Sequence, residues 1–229
     1  MITRLARSLP AGLALVWLLA LVVAHVASGP PLDAPVLRAL LNATVDFVAV
    51  LVLVAAGGAL GTLLLPRLRP LSPIERGVVR ALIGMGMLSV IILAAGMAGL
   101  IPPRWLAWLI TVVLLGVLYS PLRHWWDGML TGYMLITVPP GDWLAAGARI
   151  VCLVLLALAL LMAFAPPTAW DALTYHLSGP LYALLAGRVA AFPENHFLGF
   201  PQVTEMLYLW LMIMGRPVTG ALLHWAFGG

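Results

Sequence analysis

Seven side chains able to do acid–base, metal or phosphate chemistry crowd into one stretch of an otherwise greasy chain: Asp171, Tyr175, His176, Arg188, Glu194, His196 and Glu205. An apolar run precedes them and another follows. At a membrane boundary such groups are costly unless they pair, face water or work. Asp171 offers a carboxylate that could act as general base on a hydroxyl, or hold a divalent metal against a diphosphate. An Asp here is also an ordinary helix cap. His176 and His196 are metal-ligand types, but they lack the His-x-x-x-His spacing that puts two imidazoles on one helical face. Arg188 could neutralise a phosphate or simply end a helix in water. Tyr175 and Tyr182 are types that anchor at a membrane interface. Glu205 opens an apolar run, so it must face a cavity or a partner. His224, in the last apolar stretch, falls under the same rule.

The local elements that would position these groups can be read from the turn residues. Pro166-Pro167 ends the preceding span, since proline cannot continue a helix. Thr168-x-x-Asp171 reads as a capping box for a short helix. Helical spacing puts Asp171, Tyr175 and Ser178 on one face, with His176 off it. Ser178-Gly179-Pro180 restarts the helix, with Pro180 as its first residue. Leu181, Leu184 and Leu185 alternate with small residues, so this second helix is expected on the membrane surface, ended by Gly187. The segment from Phe192 to Pro201 is an irregular, aromatic-rich return.

Composition sets the class. The 229 residues are 63% hydrophobic and only 9% charged, with mean hydropathy +1.09. A soluble domain carries about 25% charged residues, so the chain reads as an all-α, polytopic membrane protein. Apolar runs at Pro10–Val26, Phe47–Leu65, Ala81–Ile101, Trp105–Leu122 and Trp143–Ala165 give five spans. A short sixth (Gln202–Gly215) and the start of a seventh (Pro217–Gly229) bring the expectation to about 6–7 transmembrane helices. Residues 128–141 read as an interfacial or re-entrant piece. The first run is longer than a signal-peptide core and lacks a clean Ala-x-Ala, so an uncleaved span is favoured. Gly57-x-x-x-Gly61 reads as helix packing. The sole cysteine, Cys152, sits in an apolar run and cannot form an internal disulfide. Two regions are expected: residues 1–147, with four spans, and residues 148–229, with a span, the loop 166–201, a span and a beginning span. The break inside the seventh span suggests the N-terminal part of a longer protein.

All twelve basic residues are Arg, scattered beside apolar runs rather than clustered on one face. That pattern sets topology and does not suggest nucleic acid. With the N-terminus cytoplasmic, Arg4, Arg7, Arg67, Arg69, Arg76, Arg80, Arg123, Arg149 and Arg216 lie inside, and Arg38, Arg104 and Arg188 outside. The positive-inside rule prefers this arrangement, which makes loop 166–201 extracytoplasmic.

Trp170-Asp171-x-x-x-Tyr175-His176, then Gly187-Arg188, then Phe200-Pro201-Gln202-x-x-Glu205-Met206-Leu207-Tyr208, resembles bacterial polytopic glycosyltransferases of the GT-C superfamily. The likeness is to family 39-like enzymes, akin to protein mannosyltransferases and the aminoarabinose transferase of lipid A, and covers roughly Arg149 to Gly228. It implies an inner-membrane enzyme that moves a sugar from a polyprenyl-phosphate donor to an acceptor at the outer face. On that resemblance Asp171 inherits the catalytic or metal-binding role, with Glu205 as a second carboxylate. Tyr175, His176, Arg188, His196 and Gln202 become substrate contacts, and a divalent metal is the one cofactor it allows. Two departures stand out: Ala172 replaces the second acid of an Asp-Glu pair common in relatives, and four spans precede the family's first. A multi-span transporter and a non-catalytic membrane scaffold are the competing classes.

Overall fold

A computed structural model of the chain describes residues 34–68, 71–135, 142–191, 193–199 and 202–228. The expected first span, Pro10–Val26, lies outside them. The chain divides into a unit ending at Thr44 and a second running from Val45 to Gly229. Of the first, only 34–44 are described, all helical; Thr44 Oγ1 donates to Leu40 O at 2.9 Å. The second unit carries the helical bundle and the described residues of loop 166–201.

Among the described residues every regular element is helical. Helix α1 (Ala34–Leu64) is followed by α2 (Pro73–Met97), α3 (Arg104–Val117), α4 (Tyr119–Leu135) and α5 (Trp143–Ala163). A π-helical turn (Ala172–His176), α6 (Ser178–Ala186), a 3₁₀ turn (His196–Gly199), α7 (Val203–Met214) and α8 (Thr219–Gly228) complete it. Three helices are long and apolar enough to cross a membrane: α1, α2 and α5. A fourth candidate is the α3–α4 pair, bent by 77°. The described residues therefore give three to four candidate spans.

Helix α2 starts at Pro73, eight residues before the span expected from hydropathy. Ser72 and Glu75 form a reciprocal capping box: Ser72 N donates to Glu75 Oε2 at 2.7 Å and Glu75 N to Ser72 Oγ at 3.3 Å. Pro73 follows at the first helical position, where its missing N–H costs nothing. The early start brings Arg76 and Arg80 into the helix. Arg80 is buried, and its guanidinium donates to Leu65 O and Pro66 O, both at 3.1 Å, satisfying carbonyls left where α1 ends.

Helices α1 and α2 meet through glycine. A Cβ at Gly61 would collide with the Arg80 carbonyl, and one at Gly84 with the Gly57 carbonyl. The Gly57-x-x-x-Gly61 spacing is thus packing, and its partner is α2. The fourth span ends at Val117 rather than Leu122, and a separate helix, α4, turns away. Trp125 of α4 anchors it: its Nε1 donates to Gly77 O at 2.9 Å and its ring lies over Gly58. Helix α4 therefore packs where α1 ends and α2 begins. Helix α5 matches its expected start at Trp143, where Asp142 Oδ1 accepts from Ala145 N at 2.9 Å. Most of α5 remains uncovered; Trp225 Nε1 of α8 reaches its Leu156 carbonyl at 3.0 Å.

Helix α7 is shorter than a membrane crossing needs. Twelve residues rise about 18 Å, well short of a bilayer core of about 30 Å. Its first residue lies beside the middle of α2, where Ser89 Oγ donates to Val203 O. Its last carbonyls meet the start of α3: Arg104 Nη2 donates to Gly215 O at 2.6 Å, Arg104 Nε to Ile213 O at 3.3 Å, and Trp108 Nε1 to Met214 O at 3.0 Å. The helix therefore runs from within the bundle toward the end where α2 finishes and α3 begins. Arg216, expected on the opposite side from Arg104, sits at the same end, ion-paired with Asp46.

Candidate functional site

The loop that carries most of the groups singled out in residues 166–205 is fastened near this end, at Gly96, while Glu205 lies deeper, on the first turn of α7. Residues 166–169 belong to no regular element, and a helix begins at Trp170. Asp171 is inside that helix, so Thr168-x-x-Asp171 is not a capping box; the Asp171 side chain makes no cap bond and is exposed. The helix then widens into the π turn, closed by Leu177 N donating to Ala172 O at 2.9 Å. Pro180 explains the widening. It has no N–H, and its ring would strike the carbonyl four residues back, at His176. The chain must leave regular α geometry before Ser178, where α6 starts. The Thr174 carbonyl exposed by this turn accepts from Ser178 Oγ at 2.6 Å and Asn195 Nδ2 at 2.7 Å.

Altered helical pitch also changes which side chains face inward. His176, expected off the working face, turns toward α7. Its Nδ1 lies 2.6 Å from Glu205 Oε1. Glu205 is 6% exposed, while the His176 side chain keeps 37% of its surface open. The pairing answers the demand that Glu205 find a partner. Tyr208, one turn along α7, presents its ring edge-on to the imidazole at 6.4 Å. The Glu205 carboxylate fixes the imidazole's orientation and favours a proton on Nδ1, leaving Nε2 as the acceptor.

Aromatic rings wall the pair. Tyr175 stacks on Phe197 at 5.6 Å and touches His176 at 4.1 Å. Trp170 meets Phe197 edge-on at 5.5 Å. His196 lies against Phe197 at 4.0 Å but is exposed, at the start of the 3₁₀ turn. Gln202 spends its amide on Leu198 O at 2.6 Å and lies beside Gly179. Gly187 ends α6 in the left-handed region, φ +67°, as its sequence position required. The following Val189 N donates to Gly96 O at 2.8 Å, fastening the loop to the end of α2. Arg188 between them is exposed.

The structure thus joins His176, Glu205 and Tyr175, and leaves Asp171, Arg188 and His196 at the surface. Among the described residues no bond or ring contact links Asp171 to the His176–Glu205 pair. No three His, Cys, Asp or Glu converge there to hold a metal among the described residues. A magnesium ion shared with substrate phosphates needs only one or two carboxylates, and Asp171 is an open one. His224 is exposed on α8. Sequence reasoning missed Asn195 and Phe197 as site-builders; the dense aromatics of the return segment were the available signal. No protein family, curated protein or solved structure matches the chain.

Proposed function

We propose that this chain carries the transfer site of an integral-membrane glycosyltransferase using a sugar donor on a polyprenyl phosphate. The supporting observation is the His176–Glu205 pair: a buried carboxylate on an apolar helix holding a half-open imidazole at the bundle end. Glycosyl transfer needs a group to take the acceptor's hydroxyl proton as its oxygen attacks the anomeric carbon. In this proposal His176 Nε2 accepts that proton. The carbon–oxygen bond to the donor phosphate breaks, and the phosphate leaves with the electron pair. Glu205 orients the imidazole and stabilises it once charged. Asp171 and Arg188, both exposed at the same end, address the leaving phosphate, Asp171 through a divalent cation and Arg188 directly. Such a site faces the outer leaflet and would sit in a bacterial inner membrane, where lipid carriers present their head groups.

The experiment is sugar transfer by the protein in proteoliposomes supplied with a polyprenyl-phosphate sugar and magnesium. His176→Gln should lower the rate by about 10²–10⁴-fold, the range of a lost general base. Asp171→Asn should lower it comparably while leaving thermal unfolding unchanged, since its side chain is exposed and caps no helix. Undiminished transfer by a folded His176→Gln variant would remove the proposed base.

A further inference from the structure

We propose that a second site, at the opposite end of the bundle, binds a phosphate-bearing anion. A cleft of about 440 Å³ opens between the α1–α2 connection and α4. Arg67, Arg76, Arg80 and His124 line it, against one carboxylate, Asp127. That carboxylate is engaged with Arg123 at 3.7 Å. The nearby Glu75 carboxylate is committed to Ser72 N. Three guanidinium groups around one cavity repel one another, and an anion between them relieves that repulsion.

The cleft is built rather than incidental. Arg80 is only 7% exposed and is pinned by Leu65 O and Pro66 O, so its charge is fixed beside the cavity. Trp125 is 7% exposed and pinned by Gly77 O, forming a rigid indole wall. Arg67 is exposed and Arg76 half-buried, both free to close on a ligand from the rim. The site lies where α1 ends, next to exposed Leu63 and Leu64, at the depth a lipid head group would occupy. Planar guanidinium forks match phosphate oxygens two at a time. A phospholipid head group and a soluble phosphate share this chemistry. The site is separate from the His176–Glu205 pair and does not depend on the transferase proposal.

Purified full-length protein in phosphatidylcholine nanodiscs is titrated with phosphatidylglycerol, and in parallel with inorganic pyrophosphate, and bound anion is counted by native mass spectrometry. Arg76→Gln and Arg67→Gln should each weaken binding about tenfold, the loss of one charge-assisted hydrogen bond. Arg149→Gln is the control: it lies near the same end, over the Tyr133 ring of α4, but outside the cleft. It should leave affinity unchanged. Binding of the lipid alone identifies a head-group site; equal response to pyrophosphate identifies a soluble ligand. Failure of both anions to bind, or an Arg149→Gln loss equal to that of Arg76→Gln, overturns the proposal. Circular dichroism of each variant separates lost binding from lost fold.

Discussion

Removing either partner of the Asp46–Arg216 pair should destabilise the protein, and unequally. Arg216 reaches Asp46 Oδ2 through both Nε, at 2.7 Å, and Nη2, at 2.6 Å. The Asp46 side chain is 1% exposed, whereas Arg216 keeps 44% of its side-chain surface. Deleting one member of a fully buried pair costs about 3–5 kcal/mol, because the survivor is left charged and dry. Arg216→Met leaves a buried carboxylate and should cost about 3 kcal/mol, the low end, since one partner is already half hydrated. Asp46→Asn leaves an arginine that water can reach, and Asn still accepts a hydrogen bond. It should cost about 1 kcal/mol, a typical net hydrogen bond. The double variant holds no stranded charge and should cost less than Arg216→Met alone, a coupling of about 2 kcal/mol. Unfolding free energies in mixed micelles under rising dodecyl sulfate give all four corners of the cycle. A cost for Arg216→Met no greater than for Asp46→Asn, or additive costs, would refute the pairing. It would also loosen the tie between the end of α7 and α1.

The same contacts set further outcomes. In a Cys152→Ser background, cysteines at Leu185 and Leu100 should react with a membrane-impermeant maleimide from the same side, and a cysteine at Arg67 from the other. Arg80→Met should lower stability by about 2 kcal/mol by stranding the Leu65 and Pro66 carbonyls, with stability read in the same micelle titration. Gly84→Leu should separate α1 from α2 and lose folded protein on size exclusion, whereas Gly116→Leu, with open space around it, should not. Glu205→Gln should slow sugar transfer less than His176→Gln, because glutamine still accepts from Nδ1–H.

The long elements were legible where local chemistry and hydropathy agree. Trp143 begins α5 because Asp142 caps it, and Gly187 ends α6 because only a left-handed turn fits there. Hydropathy alone misplaced the start of α2, since Arg76 and Arg80 look like loop residues until Ser72 and Glu75 are recognised as a cap. Helix α7 was legible as apolar but not in its placement, because the cation that meets its last carbonyls, Arg104, is more than a hundred residues away in sequence. At the site, Glu205's need for a partner was readable from its position. Its partner was not, because His176 reaches it only through a π turn that α-helical spacing does not anticipate.

Arg104 also has a history as the chain is made. The carbonyls it holds belong to residues 109 and 111 positions further on. At synthesis rates of about 5–20 residues per second, roughly 5–20 s separate the emergence of the cation from that of its acceptors. During that interval α3 must be housed with a bare guanidinium at its head, in water or among lipid phosphates. Formation of α3 and arrival of α7 are therefore distinct events in assembly, and the second releases whatever solvated the first.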